Sequence, residues 1–416
     1  MRRHSIVMTA GSCGIAALAL AIAPATAQAA QAAQGAQAAH TPRAAHATQK
    51  ARAARKARTG RAARGAQVPG WRIVHVNGYG DHDSLTAVVA VSQQDAWAGG
   101  LISNAGSHAF LQHWNGQTWT AADLPAAISK ISNAQVSGLA ASSASNVWAF
   151  ISGHPAAVAR FDGTGWQVMR EWPAEGFSIT GATFGPADVW MFGGIGPQTS
   201  GTWHYNGRRW SRPKMPLTAF GISRISARDE WAIGERPTRQ GGYAGGVERW
   251  NGHSWRTVPT RGLVPADTAT RSTGLGQIFA QSRRSVWVTG TTYTGSFSHL
   301  RSFVLHWNGR KWRRFTGASD VSLGPAIVAD GSVQAVSQHV RLSDQTYIDP
   351  APVLVSYAAG HLVTLATPPH PGRSLEINGM AGIPGTQSAW AVGGYFTDST
   401  VKGWVPTGGV ILRSGN

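Results

Sequence analysis

The sequence predicts an all-β chain: a ring of seven four-stranded units, the architecture of a seven-bladed β-propeller. Three observations carry this. A Trp in a short apolar run, as in Asp95-Ala-Trp97-Ala-Gly-Gly100, recurs with a period of about 50 residues. A second phrase follows most copies: an aromatic residue, Asn-Gly or Asp-Gly, two more residues and a Trp, as in Trp114-Asn-Gly-Gln-Thr-Trp119. A strand-like run of small and apolar residues precedes each first phrase, as in Ala87-Val-Val-Ala90 and Ser137-Gly-Leu-Ala140. Self-similarity at such a period marks units that bury their apolar faces against neighbours. Four short strands per period make a blade.

Taken in chain order, residues 1–29 read as an export signal. Arg2 and Arg3 precede an uncharged, mostly apolar run from Ile6 to Ala23, then the helix breaker Pro24 and the small-x-small sites Ala25-Thr-Ala27 and Ala27-Gln-Ala29. Its removal leaves a secreted, extracellular or wall-associated chain with no expected transmembrane segment. Cys13, the one cysteine, leaves with it, so the mature chain must be held by its core without disulfides. Residues 30–69 collapse to Ala, Gln, Gly, His and basic residues. With no core face to bury, this stretch reads as a disordered linker whose Lys50, Arg52, Arg55, Lys56, Arg58, Arg61 and Arg64 suit contact with polyanions. Ten of the 37 basic residues lie before residue 70 and no acidic one does, so a net charge of +18 becomes +8 for residues 70–416. That balance, with no base-reading motif, argues against a specific nucleic-acid reader.

Residues 70–416 hold the repeats. The first phrase lands on Trp97, Trp148, Trp190, Trp231, Trp287 and Trp390, with a worn copy at Gln334, which makes seven. Asp, Asn or Ser stands two residues earlier each time, at Asp95, Asn146, Asp188, Asp229, Ser285, Ser332 and Ser388. These types close tight turns through their side chains. The second phrase lands on Trp114–Trp119, Phe161–Trp166, Tyr205–Trp210, Trp250–Trp255 and Trp307–Trp312, with a worn copy at Tyr357–Val363. Its Asn-Gly or Asp-Gly predicts a type I′ hairpin with the flanking aromatics facing each other. The last unit, Val410 to Asn416, reaches the hairpin turn without an outer strand. Trp71–Val76 has the pattern of that strand, and so is expected to complete the seventh blade and leave no open edge.

These residues resemble kelch-type blades: Asp188-Val-Trp-Met-Phe-Gly-Gly194 and Trp390-Ala-Val-Gly-Gly394 match the apolar-Gly-Gly pattern with a later aromatic and Trp. The aromatic–Trp spacing of five is shorter than the kelch one, and the turn resembles a shortened Asp-box of sialidase-like propellers. The whole of 70–416 is similar to secreted actinobacterial propeller proteins of no assigned activity. Galactose oxidase shares the kelch-like blade, but its copper site needs a Cys–Tyr crosslink, which a cysteine-free mature chain cannot make.

Most conspicuous residues belong to the repeat. Fifteen of the 18 Trp fall on repeat positions and are expected in the core. His113, His204 and His306 precede the hairpin aromatic in three different blades, too far apart to share a metal, and read as strand-surface residues. No catalytic or metal motif is present, so no catalytic residue and no cofactor is assigned. Asp81-His-Asp83 has the residue types to help hold Ca²⁺ but reads better as a solvated turn. Subtracting the repeat leaves Trp172, Tyr243, Tyr293, Phe297, Tyr347, Tyr395 and Trp404, joined by Arg236, Arg239, His299 and Asp398. By strand order all lie in or beside second-to-third-strand loops or blade connections, which open on one face. Aromatics with a few polar groups on such loops suit stacking on sugars or gripping a peptide. The expected function is therefore a non-catalytic, monomeric binding module or scaffold for a glycan, cell-wall polymer or protein. The alternative is a propeller-fold hydrolase or lyase acting on extracellular polysaccharide. Converging carboxylates at the mouth of the ring would favour the alternative; a mouth of small residues would favour binding.

Overall fold

The computed structural model describes residues 70–78, 83–103, 106–172, 178–193, 201–238, 243–295, 298–329, 331–341, 346–347, 352–358, 361–369, 374–399 and 403–415. The predicted signal and linker, residues 1–69, lie outside them.

Seven antiparallel sheets form, each from four strands in chain order except the last. The first strands of blades one to seven are Ser84–Ala90, Ser132–Ser143, Ile179–Gly185, Thr218–Ser226, Arg271–Ser282, Val321–Ala329 and Ser374–Gly382. The second strands are Ala96–Ser103, Asn146–His154, Asp188–Gly193, Asp229–Pro237, Ser285–Thr294, Ser332–Arg341 and Ala389–Ser399. The third strands are Ser107–Trp114, Ala156–Phe161, Gly201–Tyr205, Tyr243–Trp250, His299–Trp307, Val353–Ala358 and Gly403–Ser414. The fourth are Trp119–Ala122, Trp166–Trp172, Trp210–Ser211, Trp255–Thr257, Trp312–Ser319, His361–Ala366 and, for blade seven, Trp71–Val76. This last strand pairs antiparallel with Gly403–Ser414, from Trp71↔Ser414 to Val76↔Val410, and closes the ring as the sequence predicts. The first strands pack side by side in chain order, and Ser374–Gly382 packs on Ser84–Ala90. Blade six carries one extra short strand, Thr346–Tyr347, paired to the end of its second. Among the described residues no helix is long and apolar enough to cross a membrane.

Each joint between blades holds its own apolar cluster. Leu139, Val147 and Ile151 of blade two, for example, pack with Val89, Trp97 and Leu111 of blade one. Small residues on the innermost strands permit this crowding: a Cβ on Gly181 would fall 2.1 Å from the ring of Phe150 in the neighbouring blade. Polar side chains then fasten most joints near the axis. Thr86 donates to Val136 O, Ser137 to Ile179 O and Asn378 to Leu85 O, while Ala280 N donates to Ser223 and Ala326 N to Gln277. Between blades three and four, Thr202 both donates to Ala219 O and accepts from Ala219 N. Each such bond satisfies a group that would otherwise be buried unpaired.

The repeated Asp, Asn and Ser residues do more than the predicted turn closure. Ser332 donates to Ala329 O, Ser285 to Gln281 and Asn146 to Ser142 across the first turn, while Asp95, Asn146, Asp188 and Asp229 reach across to the third strand. There, the residue paired in register with each repeated Trp lies against its ring. His113 stacks on Trp97 with ring centres 4.3 Å apart and bonds Asp95 at 2.9 Å. His204 repeats this on Trp190 and Asp188, and His306 stacks on Trp287 at 3.9 Å. In blades two, four and seven, Arg160, Arg249 and Arg413 take the place of His over Trp148, Trp231 and Trp390. Blade six, with Gln334 for Trp, has Ser356 opposite, and Ser356 bonds Ser332. The three His are thus half-buried members of a repeated stack, not plain strand-surface residues.

The hairpin prediction also needs correction. Trp114 and Trp119 do pair, but across a four-residue loop. Only Gly116 is left-handed there (φ +95°), and Asn115 Oδ1 accepts from the N–H groups of Gln117 and Thr118. An Asx turn replaces the type I′ turn, and Asp162, Asn206, Asn251 and Asn308 repeat it.

Candidate functional site

Strand order places the second-to-third-strand hairpins and the blade connections on one face of the ring. The long hairpins of blades four and five rise from it because their second and third strands pair well past the core, to Pro237↔Tyr243 and Thr294↔His299. At the tip of the first, Tyr243 is 51% exposed, and among the described residues it is the one exposed large aromatic. Its carbonyl accepts from Asp267 N in the following connection, which fixes the tip.

Beside that hairpin a cleft of about 220 Å³ opens between blades three and four. Its walls come from Thr202, from Arg212, Pro213 and Met215–Thr218 in the connection, and from Glu235, Arg236 and Pro237. Pro213, Met215, Pro216 and Leu217 make it apolar on one side, while Arg236 and Glu235 bring opposite charges to the other. Burial and the negative charge of Asp267 push the Glu235 carboxyl above its usual range.

Under the cleft lies Glu248. The side chains of its strand alternate, so Gly246, Glu248 and Trp250 face blade three while Val247 packs towards blade five. Glu248 is fully buried and neither carboxyl oxygen has a hydrogen-bond partner. Burial pushes its pKa up to about 7, against the opposing pull of Arg236. The Arg236 guanidinium lies next to Gly246, where a Cβ would fall 3.5 Å from Nη1. The equivalent residue in blade one, Gln112, is also buried but donates to Asn77 at 2.8 Å. The sequence reasoning missed Glu248, although a signal existed. The equivalent positions are Gln112, Ala159, Trp203, Leu305, Val355 and Leu412, so a carboxylate there breaks the repeat.

The structure separates the residues singled out from the sequence. Arg236 and Tyr243 share the blade-four hairpin, but only Arg236 lines the cleft; with no break in the alternation, Tyr243 lies on the same side of its strand as Val247, towards blade five. Tyr293 and His299 share the blade-five hairpin; burial raises the Tyr293 hydroxyl, and His299 is exposed and 3.5 Å from Asp320. Asp398 and Trp404 are paired in register in blade seven, and Tyr347 lies on the extra strand of blade six; their side chains are outside the described ones, as are Arg239 and Phe297 altogether.

Two of those residues are core instead. Trp172 is 3% exposed, edge-on to Trp203 and Trp210 with Arg170 over its ring, and Tyr395 is buried with Leu375, Ile377 and Val410. Neither can meet a ligand on this face. Asp81 and His82 lie outside the described residues, and Asp83 is fully buried, so it is not part of a solvated turn.

No family model matches the chain, and no curated protein does. Among solved structures, YCF48 bound to D1 peptide is 12% identical, covers 84% of this chain and 98% of its own, and has a TM-score of 0.46. The SapL1 lectin in complex with alpha methyl fucoside is 11% identical over 70% of this chain and 98% of its own, TM-score 0.43. The β-propeller domain of Myceliophteria thermophila Cps50 (Swd1) is 10% identical over 83% and 100%, TM-score 0.49. What these proteins bind says nothing of this chain's ligand.

Proposed function

We propose that this chain is a secreted, non-catalytic propeller that binds a glycan or a protein segment on its loop face, around the raised hairpin of blade four. The observation that carries the reading is a single raised hairpin that bears an exposed aromatic, Tyr243, on one side and a cleft of apolar wall and charged rim on the other. An aromatic face beside a few placed polar groups is how sugars and extended peptides are held. The kelch-like and Asp-box-like turns, the export signal and the wall-associated location belong to the same reading.

The described inner strands support binding over catalysis. All seven first strands together carry three charged residues, Arg224, Arg271 and Glu376. A carboxyl with its pKa near 7 is the usual mark of a general acid, but Glu248 is sealed from solvent and cannot touch a substrate.

The test is a thermal-shift screen of oligosaccharides and short peptides, followed by titration of the hits. The double variant Tyr243→Ala/Arg236→Ala is expected to weaken binding by tenfold or more, as loss of an aromatic or Arg anchor costs roughly 1–2 kcal/mol or more. A hit bound with unchanged affinity moves the site off this face.

A further inference from the structure

The opposite face carries a second feature. It is built from the tight turns between first and second strands and between third and fourth strands. In blades three to five these turns hold Arg208, Arg209, Arg228, Arg284, Arg310 and Lys311, all exposed. None of the six makes an ion pair among the described residues. The acids nearby are already committed: Asp188 and Glu230 to Arg224, and Asp229 to Arg249 and Arg283. Turns at the same places in blades one, two and seven bear no cation: Ser92-Gln93-Gln94, Asn115 to Thr118, Asp162 to Gly165, and Pro384 to Gln387.

The fold gathers the cations of blades four and five. The left-handed Gly of each outer hairpin rests on the inner turn of its own blade. A Cβ on Gly309 would fall 2.9 Å from Cγ of Arg284, so Arg284 lies against the turn that continues into Arg310 and Lys311. Gly252 rests on Arg228 in the same way. Asp229 then reaches from blade four to Arg283, which puts the turns of blades four and five side by side. No ion pair to an acid among the described residues neutralises any of the six.

We propose that the turn face of blades three to five is a docking surface for a linear phosphate-bearing polymer, gripped across three blades by these six cations. Five of the six are Arg, whose planar fork matches phosphate oxygens two at a time. The exposed large apolar residues among those described are Val74, Val76, Tyr243 and Val363, and none lies on these turns. A bilayer or an acidic protein would need such residues to bury. The hairpin aromatics pack inward, as Trp307 does on Trp231 and Trp312, so no platform is offered to stacked bases. The surface reads charge alone.

The experiment uses the full chain with Arg43, Lys50, Arg52, Arg55, Lys56, Arg58, Arg61 and Arg64 all replaced by Gln, so that the linker does not contribute. Binding of long-chain inorganic polyphosphate is measured against NaCl concentration. Six phosphate contacts give a log–log slope of about 4, a loss of a few hundredfold in affinity between ~50 and ~200 mM salt. Adding Arg208→Gln, Arg209→Gln, Arg228→Gln, Arg284→Gln, Arg310→Gln and Lys311→Gln keeps the stems that cover Gly252 and Gly309. This variant is expected to melt no lower than its parent and to lose both the binding and the slope. Affinity within threefold of the parent overturns the proposal. So does binding of heparin or of phosphatidylglycerol vesicles with none to polyphosphate.

Discussion

Removing Trp71–Val76 lowers the melting temperature by about 7 °C or more, because it opens the ring. The strand alternates half-buried and exposed residues, with Trp71, Ile73 and His75 turned inward. Trp71 and Ile73 pack on the cluster of Leu375, Ile377 and Leu412 that joins blades six and seven. Burying such side chains stabilises by roughly 1–2 kcal/mol each, and each ladder bond adds about 1 kcal/mol net. Together they amount to about 5 kcal/mol or more, against a typical total of about 5–15 kcal/mol. Deletion also strips Gly403–Ser414 of its partner and leaves an edge that invites association. Calorimetry and sizing on the deletion variant check both effects. Val74→Ser, on the exposed side of the same strand, is the control and is expected to leave the melting curve in place. An unchanged curve for the deletion would mean that Trp71–Val76 decorates a ring already closed without it.

That closure was legible because it needs only periodicity: the repeat ends one strand short and begins with one to spare. The blade count was legible for the same reason, Gln334 included. What periodicity cannot give is parity after an irregularity. Trp172 illustrates this. Trp166 and Val168 pack on the blade-one side, but Val158 pairs Arg170 while Ala159 pairs Val168. Met169 is therefore an extra residue in the strand, a bulge that turns the rest of it over. Met169 and Trp172 then join the cluster on the blade-three side, and an unrepeated Trp becomes core. Tyr395 needs no break in its strand: it keeps the alternation of Ala389 and Ala391 and is buried in their cluster, because the second strand of blade seven stays packed on blade six further than the repeat length suggests. The partners of Asp95, Asp188 and Asp229 were hidden for another reason. Asx side chains serve turns and cross-strand pairs equally well, and only the register shows that His113, His204 and Arg249 stand opposite the Trp two residues on.

Glu248→Gln is expected to stabilise the protein at pH 8 by about 3 kcal/mol and to leave it nearly unchanged at pH 4. An unfolded Glu gives up its proton near 4.5, whereas the folded chain holds that of Glu248 to about 7. Below pH 4.5 both states are protonated and the site costs nothing. Between the two values only the unfolded chain releases the proton, so stability falls with rising pH by about 1.4 kcal/mol per unit. Above pH 7 the loss is complete, and for a domain of this size about 3 kcal/mol is a shift of roughly 4 °C in melting temperature. Glu230, which burial also pushes to about 7, acts in the same direction, so the variant keeps part of the slope. Arg236 opposes the burial of Glu248, which gives a second variant with the opposite sign: Arg236→Gln raises the pKa further and makes the parent's loss between pH 5 and 8 larger. Urea unfolding at the two pH values separates the cases. A Glu248→Gln protein no more stable than its parent at pH 8 would show that the carboxylate is solvated or paired in solution. If the prediction holds, the cleft of the proposed binding site rests on a joint that weakens as pH rises, with Arg236 as both its rim and its counter-charge.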